Sequence, residues 1–375
     1  MKSLSEYFVN DLPEGALLPE YPSTSNPKAS FVNRVQYRIH ESIPIPEENF
    51  LKTLGPHHII SAWGDALPVT IGIEPSKALQ DHWQESLGMS VRFTPLEAHR
   101  RYVTLFPHEQ LTPAMHCVDP DVHYELLSKA LIPKIDCPQP KTVKPHDCPY
   151  VMKISHGYSG YGNFFIHSLD DHLAAEAGIE RYWPGVECFY TEIVTPITGD
   201  YCTQFYVDRS GGIQWIGVTQ QTFNRKGYWA GAKIQGTQQE TLRQLLLPAV
   251  KPIADYLHKH GYFGVVGVDV LKDDTGQLYV IDINARINGS TPFLIMYRSL
   301  QLQGFAFGGY YPSLTFRGSV TELLQTFPEE SSLKMVVLST MDAPQYKGIQ
   351  CHIGLFGDSE VSCEAFLQKH FYRSV

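Results

Sequence analysis

GVVGVDVLKDDTGQLYVIDINARINGSTP, residues 264–292, is the stretch whose reading decides the fold of this chain. Two runs rich in β-branched residues flank Asp273, Asp274, Thr275, Gly276 and Gln277, a sequence suited to a tight turn, so the segment reads as a β-hairpin. Side chains alternate along a strand. That alternation puts Asp282, Asn284 and Arg286 on one face and Tyr279, Ile281, Ile283, Ala285 and Ile287 on a core-like other face. With the turn centred between Thr275 and Gly276, Asp269 lies directly opposite Asp282, and paired residues point to the same side. Two carboxylates and an amide oxygen then share a patch with a guanidinium about 7 Å further along the strand. The like charges call for a compensating cation, and an all-oxygen donor set favours Mg²⁺, with Mn²⁺ as the alternative, over zinc. Arg286 suits a phosphate or carboxylate held in bidentate fashion.

Upstream, VMKISHGYSGYG (residues 151–162) runs from a strand into a turn with three glycines, Gly157, Gly160 and Gly162. Glycine lets backbone N–H groups approach an anion closely, and Lys153 supplies a point charge just before the turn. The segment is neither a P-loop nor a dinucleotide-binding fingerprint, because the spacing differs and a strand follows it.

The rest of the chain divides into short strands and helices. Residues 1 to about 55 read as an irregular arm or wrapping segment. His57 to Trp63 reads as a buried strand and Ala78 to Leu87 as a helix closed by Gly88, which together form a small α/β unit ending near residue 115. A short helix starts near Asp121, and strands are expected at 151–154, 164–166 and 188–194. A helix is expected at 169–180. Tyr201 to Asp208 pairs with Ile213 to Thr219, and 237–259 is the longest helical pattern. Lys226, Tyr228 and Trp229 belong to a glycine-flanked aromatic loop, read equally well as a substrate mouth or as packing. The pair His57 and His58 reads as structural, and Trp183 and Tyr190 as core. Strands outnumber the helices between them, so a plain doubly wound sheet is not expected.

The chain has 375 residues and a formal net charge of -9, which suits a globular protein of two or three domains and argues against a broad nucleic-acid surface. Seven irregularly spaced cysteines without a C-x-x-C read as reduced thiols of a cytoplasmic protein. No apolar run approaches the roughly 20 residues of a membrane-spanning helix.

Taken in order along roughly residues 120–300, these motifs resemble the ATP-grasp superfamily. The lead-in SKALIPKIDCPQP contains Lys129. The VMK strand and its glycine loop are similar to the family's phosphate-covering lid, and FYTEIV (189–194) to its adenine hinge. D-x-N-x-R (282–286) is similar to its metal-binding strand, usually written E-x-N-x-R. The stretches NGSTP and QQTFNRKGYWAG are most similar to amino-acid and peptide ligases of the pheganomycin-ligase type.

The resemblance implies an α/β (α+β) ATP-grasp fold. Residues 1–120 would be a pre-ATP-grasp domain, 121–190 a small lid subdomain, and 191–375 a large subdomain with a C-terminal extension. It implies ATP as the nucleotide, with Lys129, Lys153, Gly157, Gly160 and Gly162 on its phosphates. Glu192 and Val194 would read adenine, and Asp200 the ribose. Magnesium would sit on Asp269, Asp282 and Asn284, with Lys153 and Arg286 as the catalytic cations. The implied reaction joins a small carboxylate to an amine, an amino acid or peptide, through an acyl phosphate, releasing ADP and phosphate. A homodimer is possible. The rival readings are a phosphotransferase on the same scaffold and a nucleotide-binding module without ligase activity.

Overall fold

The computed structural model describes residues 2–22, 50–157, 162–182, 184–224, 227–301, 303–326 and 332–371. In chain order the elements are α1 (Ser5–Phe8), β1 (Ala16–Leu18), α2 (Gly55–Ile60), α3 (Lys77–Leu87), β2 (Tyr102–Thr104) and α4 (Pro120–Leu126). Then come β3 (Tyr150–Ile154), β4 (Asn163–Ile166), α5 (Leu169–Tyr182), β5 (Cys188–Thr191), β6 (Ile197–Val207), β7 (Ile213–Phe223), β8 (Trp229–Gln235) and α6 (Gln239–Lys259). The chain continues through β9 (Gly264–Asp273), β10 (Leu278–Asn284), α7 (Thr291–Gln301), β11 (Phe307–Phe316), α8 (Val320–Gln325), β12 (Leu333–Ala343), β13 (Gly348–Gly357) and α9 (Glu360–His370).

Three sheets result among the described residues. The large one has eight strands in the order β10-β9-β6-β7-β8-β11-β13-β12, every neighbouring pair antiparallel. The second has three antiparallel strands, β4-β3-β5, and with α5 it forms a core of its own around Tyr150, Met152, Ile154, Ile166, Ala175 and Ile179. The third is a parallel pair, β1 with β2. The acidic hairpin is therefore one edge of the large sheet, and the small sheet lies over that edge, with the Lys153 ammonium donating to the Ile281 carbonyl at 3.3 Å.

Residues 2–18 are a wrapping segment, with Leu4, Tyr7, Phe8 and Leu17 buried in the main core. One N-terminal expectation fails. HHIISAW is not a strand, because α2 takes its first four residues. All six residues of α2 are buried, so its sequence carries neither alternation nor a 3.6-residue stripe. Trp183 and Lys226 lie outside the described residues. The helix closed by Gly88 forms as read: the Ser76 hydroxyl caps α3, and Gly88 ends it at φ +68°. Asp119 caps α4 through the N–H groups of Asp121 and Val122. The C-terminal stretch adds three long strands to the large sheet.

The hairpin departs from its expected faces at one point. Near the turn, Val280 pairs with Val270, but Asp282 pairs with Asp269, so Ile281 is an extra residue in β10. This bulge brings the two aspartates opposite each other; without it Asp282 would face Val268. It also moves Val280 into the core and leaves Tyr279 and Ile281 partly exposed, the reverse of the expected alternation.

Candidate active site

Register sets the site. Cys202 pairs with Asp269 and Asp200 with Leu271 across β6 and β9, while Asp282 and Asn284 pair with Asp269 and Gly267 across β9 and β10. Asp200, Asp269 and Asp282 therefore share one face of the sheet. Burial, then the neighbouring Asp282 and Asp200, push the Asp269 carboxyl well above the usual carboxylate range. Burial raises Asp200 to about 6, opposed by the Gln221 amide, which donates to its Oδ1 at 3.1 Å.

Two lysines face these carboxylates. Lys129 opens a short 3₁₀ turn (Lys129–Lys134), and its backbone N–H donates to the Ser155 carbonyl at 2.7 Å, fastening that turn to the end of β3. The Lys129 ammonium lies 2.7 Å from Asp282 Oδ2 in a largely buried pair. Lys153, buried on β3, has its pKa lowered to about 8, first by desolvation and then by Lys129, against the pull of Asp282 and Asp269. Two carboxylate oxygens, Asp269 Oδ1 and Asp282 Oδ1, are sealed from solvent without a protein hydrogen bond. Such oxygens are costly to leave bare and fit a hard divalent cation. Among the described residues no group of three or more His, Cys, Asp or Glu forms a metal set. The donors here are two carboxylates and one amide, which leaves positions in a magnesium shell for phosphate oxygens and water.

Arg286 does not project along the strand, because β10 ends at Asn284 and the Arg286 N–H turns back to the Asn284 carbonyl at 2.8 Å. Its guanidinium donates to Asn284 Oδ1 at 2.9 Å and to the Ile287 carbonyl at 3.2 Å, and it lies 5.2 Å from the centre of the Phe106 ring. The expected separation of about 7 Å along a strand face is thus replaced by direct contact.

Of the glycine loop, Gly157 is half-buried and Gly160 lies outside the described residues. Gly162 has φ +81°, and a Cβ there would come within 2.3 Å of Ile154 Cγ1, so the return into β4 requires glycine. In the hinge, Glu192 is anchored at both ends. Its N–H donates to the Lys141 carbonyl at 2.9 Å, and its Oε1 accepts from the Lys141 N–H at 3.0 Å. Val194 is half-buried in the segment between β5 and β6. Trp229 opens β8 and lies against Gly289, where an added Cβ would come within 3.1 Å of its ring. His57 and His58 are buried, with Nε2 atoms on the carbonyls of Ile73 and Gly289, in keeping with a structural role.

The sequence reading missed Cys202, Gln204 and Asn288, which are buried beneath the acidic pair. The alternation Asp200, Cys202, Gln204 along β6 was the signal that would have found two of them.

The comparisons bear on the same residues. A family described as L-aspartate--L-methionine ligase, ATP grasp, matches residues 134–284, from the lead-in through β10. The chain has the ATP-grasp fold, and this segment matches an ATP-grasp ligase family. The fold agrees with solved structures over nearly their whole length. An L-amino acid ligase from Bacillus licheniformis aligns with a TM-score of 0.50 and 13% identity, over 96% of this chain and 99% of that one. An N5-carboxyaminoimidazole synthetase from Staphylococcus aureus, complexed with ADP, aligns at 0.52 and 10%, over 95% and 96%. The biotin carboxylase domain dimer of Hydrogenobacter thermophilus 2-oxoglutarate carboxylase, with MgADP, ADP and bicarbonate, aligns at 0.51 and 11%, over 95% and 90%. At these identities the likeness to solved structures is one of fold. All seven cysteines are free thiols. Among the described residues no helix is long and apolar enough to cross a membrane.

Proposed function

We propose that this protein is an ATP-grasp ligase that joins a small carboxylate, an amino acid or peptide, to an amine through an acyl phosphate, releasing ADP and phosphate. The observation that carries the proposal is the facing arrangement at the sheet edge: Lys129 and Lys153 against Asp269 and Asp282, each with a sealed, unpartnered oxygen. The amino-acid class rests on the family match and on the likeness to the L-amino acid ligase.

In this reading Lys129 and Lys153 hold the phosphates of ATP, and the turn from Gly157 to Gly162 covers them. The hinge at Glu192 and Val194 holds adenine, with Asp200 toward the ribose. Asp269, Asp282 and Asn284 hold magnesium, which neutralises charge on the terminal phosphates. Residues 1–120, 121–190 and 191–375 then act as a pre-ATP-grasp domain, a lid and a large subdomain.

A carboxylate oxygen attacks the γ-phosphorus, the bond from phosphorus to the ADP oxygen breaks, and the acyl phosphate forms. The amine attacks its carbonyl carbon, phosphate departs with its electron pair, and the amine's extra proton goes to phosphate or water. Arg286 accompanies this transfer by releasing Asn284 and steadying the negative charge that develops on the acyl phosphate. Excluding water matters because the anhydride hydrolyses.

The test is product analysis with panels of amino acids, singly and in pairs. ADP and phosphate formed in step with an amide support the proposal. AMP and pyrophosphate, or ADP with a stable phosphorylated product, count against it.

A further inference from the structure

Beneath the acidic pair lies a polar layer that no step above uses. Cys202 stands directly opposite Asp269 across β6 and β9, which puts its thiol on the same side of the sheet, beside the Asp269 carboxylate. The sulfur in turn accepts from Gln204 Nε2 at 3.7 Å and from Asn288 Nδ2 at 3.8 Å. Gln204 reaches onward, donating to Ser290 Oγ at 2.7 Å and accepting from the Thr291 hydroxyl. Thr291 also fastens the turn before α7, since its hydroxyl accepts from the Asn288 N–H at 2.8 Å. Every member is buried, from 0% exposure at Gln204 and Thr291 to 6% at Asn288. Asn288 reaches the sulfur only because residue 267 has no side chain: a Cβ on Gly267 would come within 1.6 Å of Asn288 Nδ2.

We infer that Cys202 is a positioning residue for the metal ligand Asp269, and that Asn288 and Gln204, packed across Gly267, hold its sulfur in place. The inference rests on the proposed magnesium role of Asp269. A carboxylate whose Oδ1 has no protein hydrogen bond is free to rotate unless a neighbour packs against it. A thiol fixed directly opposite limits that rotation while adding no charge beside Asp282. Groups that hold metal ligands from behind typically govern about 10–100-fold in metal affinity. The same layer ties Asp269 to the 288–291 turn, just beyond Arg286.

The experiment is Mn²⁺ binding followed by electron paramagnetic resonance, with ADP present, on the full chain. Cys202→Ala should weaken Mn²⁺ about 10-fold or more, with ADP binding in EDTA unchanged. Cys202→Ser, which keeps a donor, should recover most of that loss. Gly267→Ala, which displaces Asn288, should weaken Mn²⁺ as Cys202→Ala does. A purely structural thiol would instead lower the melting temperature of both Cys202 variants and leave Mn²⁺ affinity alone. Wild-type Mn²⁺ affinity in a folded Cys202→Ala protein overturns the inference; if that variant does not fold, equal affinity in Gly267→Ala does so. Failure of the wild-type protein to bind Mn²⁺ with ADP would instead sink the underlying metal assignment. Ligase turnover enters neither outcome.

Discussion

Replacing Lys129 with methionine separates the two jobs that residue has in this account. In the free protein its ammonium neutralises Asp282 at 2.7 Å, with 6% of the lysine side chain and 15% of the aspartate side chain exposed. Lys129→Met keeps the apolar stem and removes the charge. Asp282 is then left facing Asp269, with Lys153 to compensate. Breaking a buried pair from one side costs about 3–5 kcal/mol, and Lys153 puts this case near the lower end. At about 2 °C per kcal/mol, which suits a long chain, the melting temperature should fall by roughly 6 °C. Metal should then help the variant more than the parent, because magnesium no longer competes with an ammonium for Asp282. Ten times its dissociation constant would restore about 1.4 kcal/mol. The assay is thermal unfolding with and without Mg²⁺ in the absence of nucleotide, alongside ATP affinity, which should weaken. An unchanged melting temperature, or a smaller Mg²⁺ shift than in the parent, would refute the reasoning.

Three further outcomes follow from the geometry. Asp282→Asn should abolish magnesium-dependent ATP turnover while the protein stays folded; turnover near the parental rate would remove Asp282 from the metal site. Gly162→Ala combines a left-handed backbone at φ +81° with a clash on Ile154, so it should destabilise by about 3 kcal/mol and raise KM for ATP, checked by urea unfolding and steady-state kinetics. Stability should rise as pH goes from 4 to 6.5: burial lowers His58, His82, His108 and His123 to about 4, so the unfolded chain binds more protons there, at up to about 1.4 kcal/mol per pH unit for each. The raised Asp200 and Asp269 work in the opposite direction, favouring the folded state at low pH and losing that contribution as pH rises, but they are two groups against four. Urea unfolding across that range gives the sign, and a flat or falling profile contradicts it.

The hairpin was legible because three local signals agree there: β-branched runs, turn chemistry at Asp273–Gln277, and paired polar positions. The turn forms as read, with the Asp273 carboxylate accepting from Thr275 and Gln277. The bulge at Ile281 was not legible, because an inserted residue leaves composition unchanged and shifts only the register. The opposition of Asp269 and Asp282 was therefore reached by a turn centre that absorbed the same one-residue shift. The helix over HHII was hidden by burial on all sides. Lys129 was placed at the site by family resemblance alone; its ion pair joins residues 153 positions apart in sequence, beyond the reach of any local pattern. Alternation along β6 marked Cys202 and Gln204 as sharing a face with Asp200, but their place beside Asp269 depends on strand order β10-β9-β6, which the sequence does not state.

The central claim, that the carboxylate is activated as an acyl phosphate, is tested most directly by oxygen tracing. An acid substrate labelled with ¹⁸O on both carboxylate oxygens is ligated to its amine with unlabelled ATP, and the phosphate released is examined by ³¹P NMR. Attack on the γ-phosphorus followed by amine capture leaves one carboxylate oxygen on phosphate, so each inorganic phosphate should carry one ¹⁸O, and ADP none. Unlabelled phosphate, or ¹⁸O found in AMP, would contradict the account.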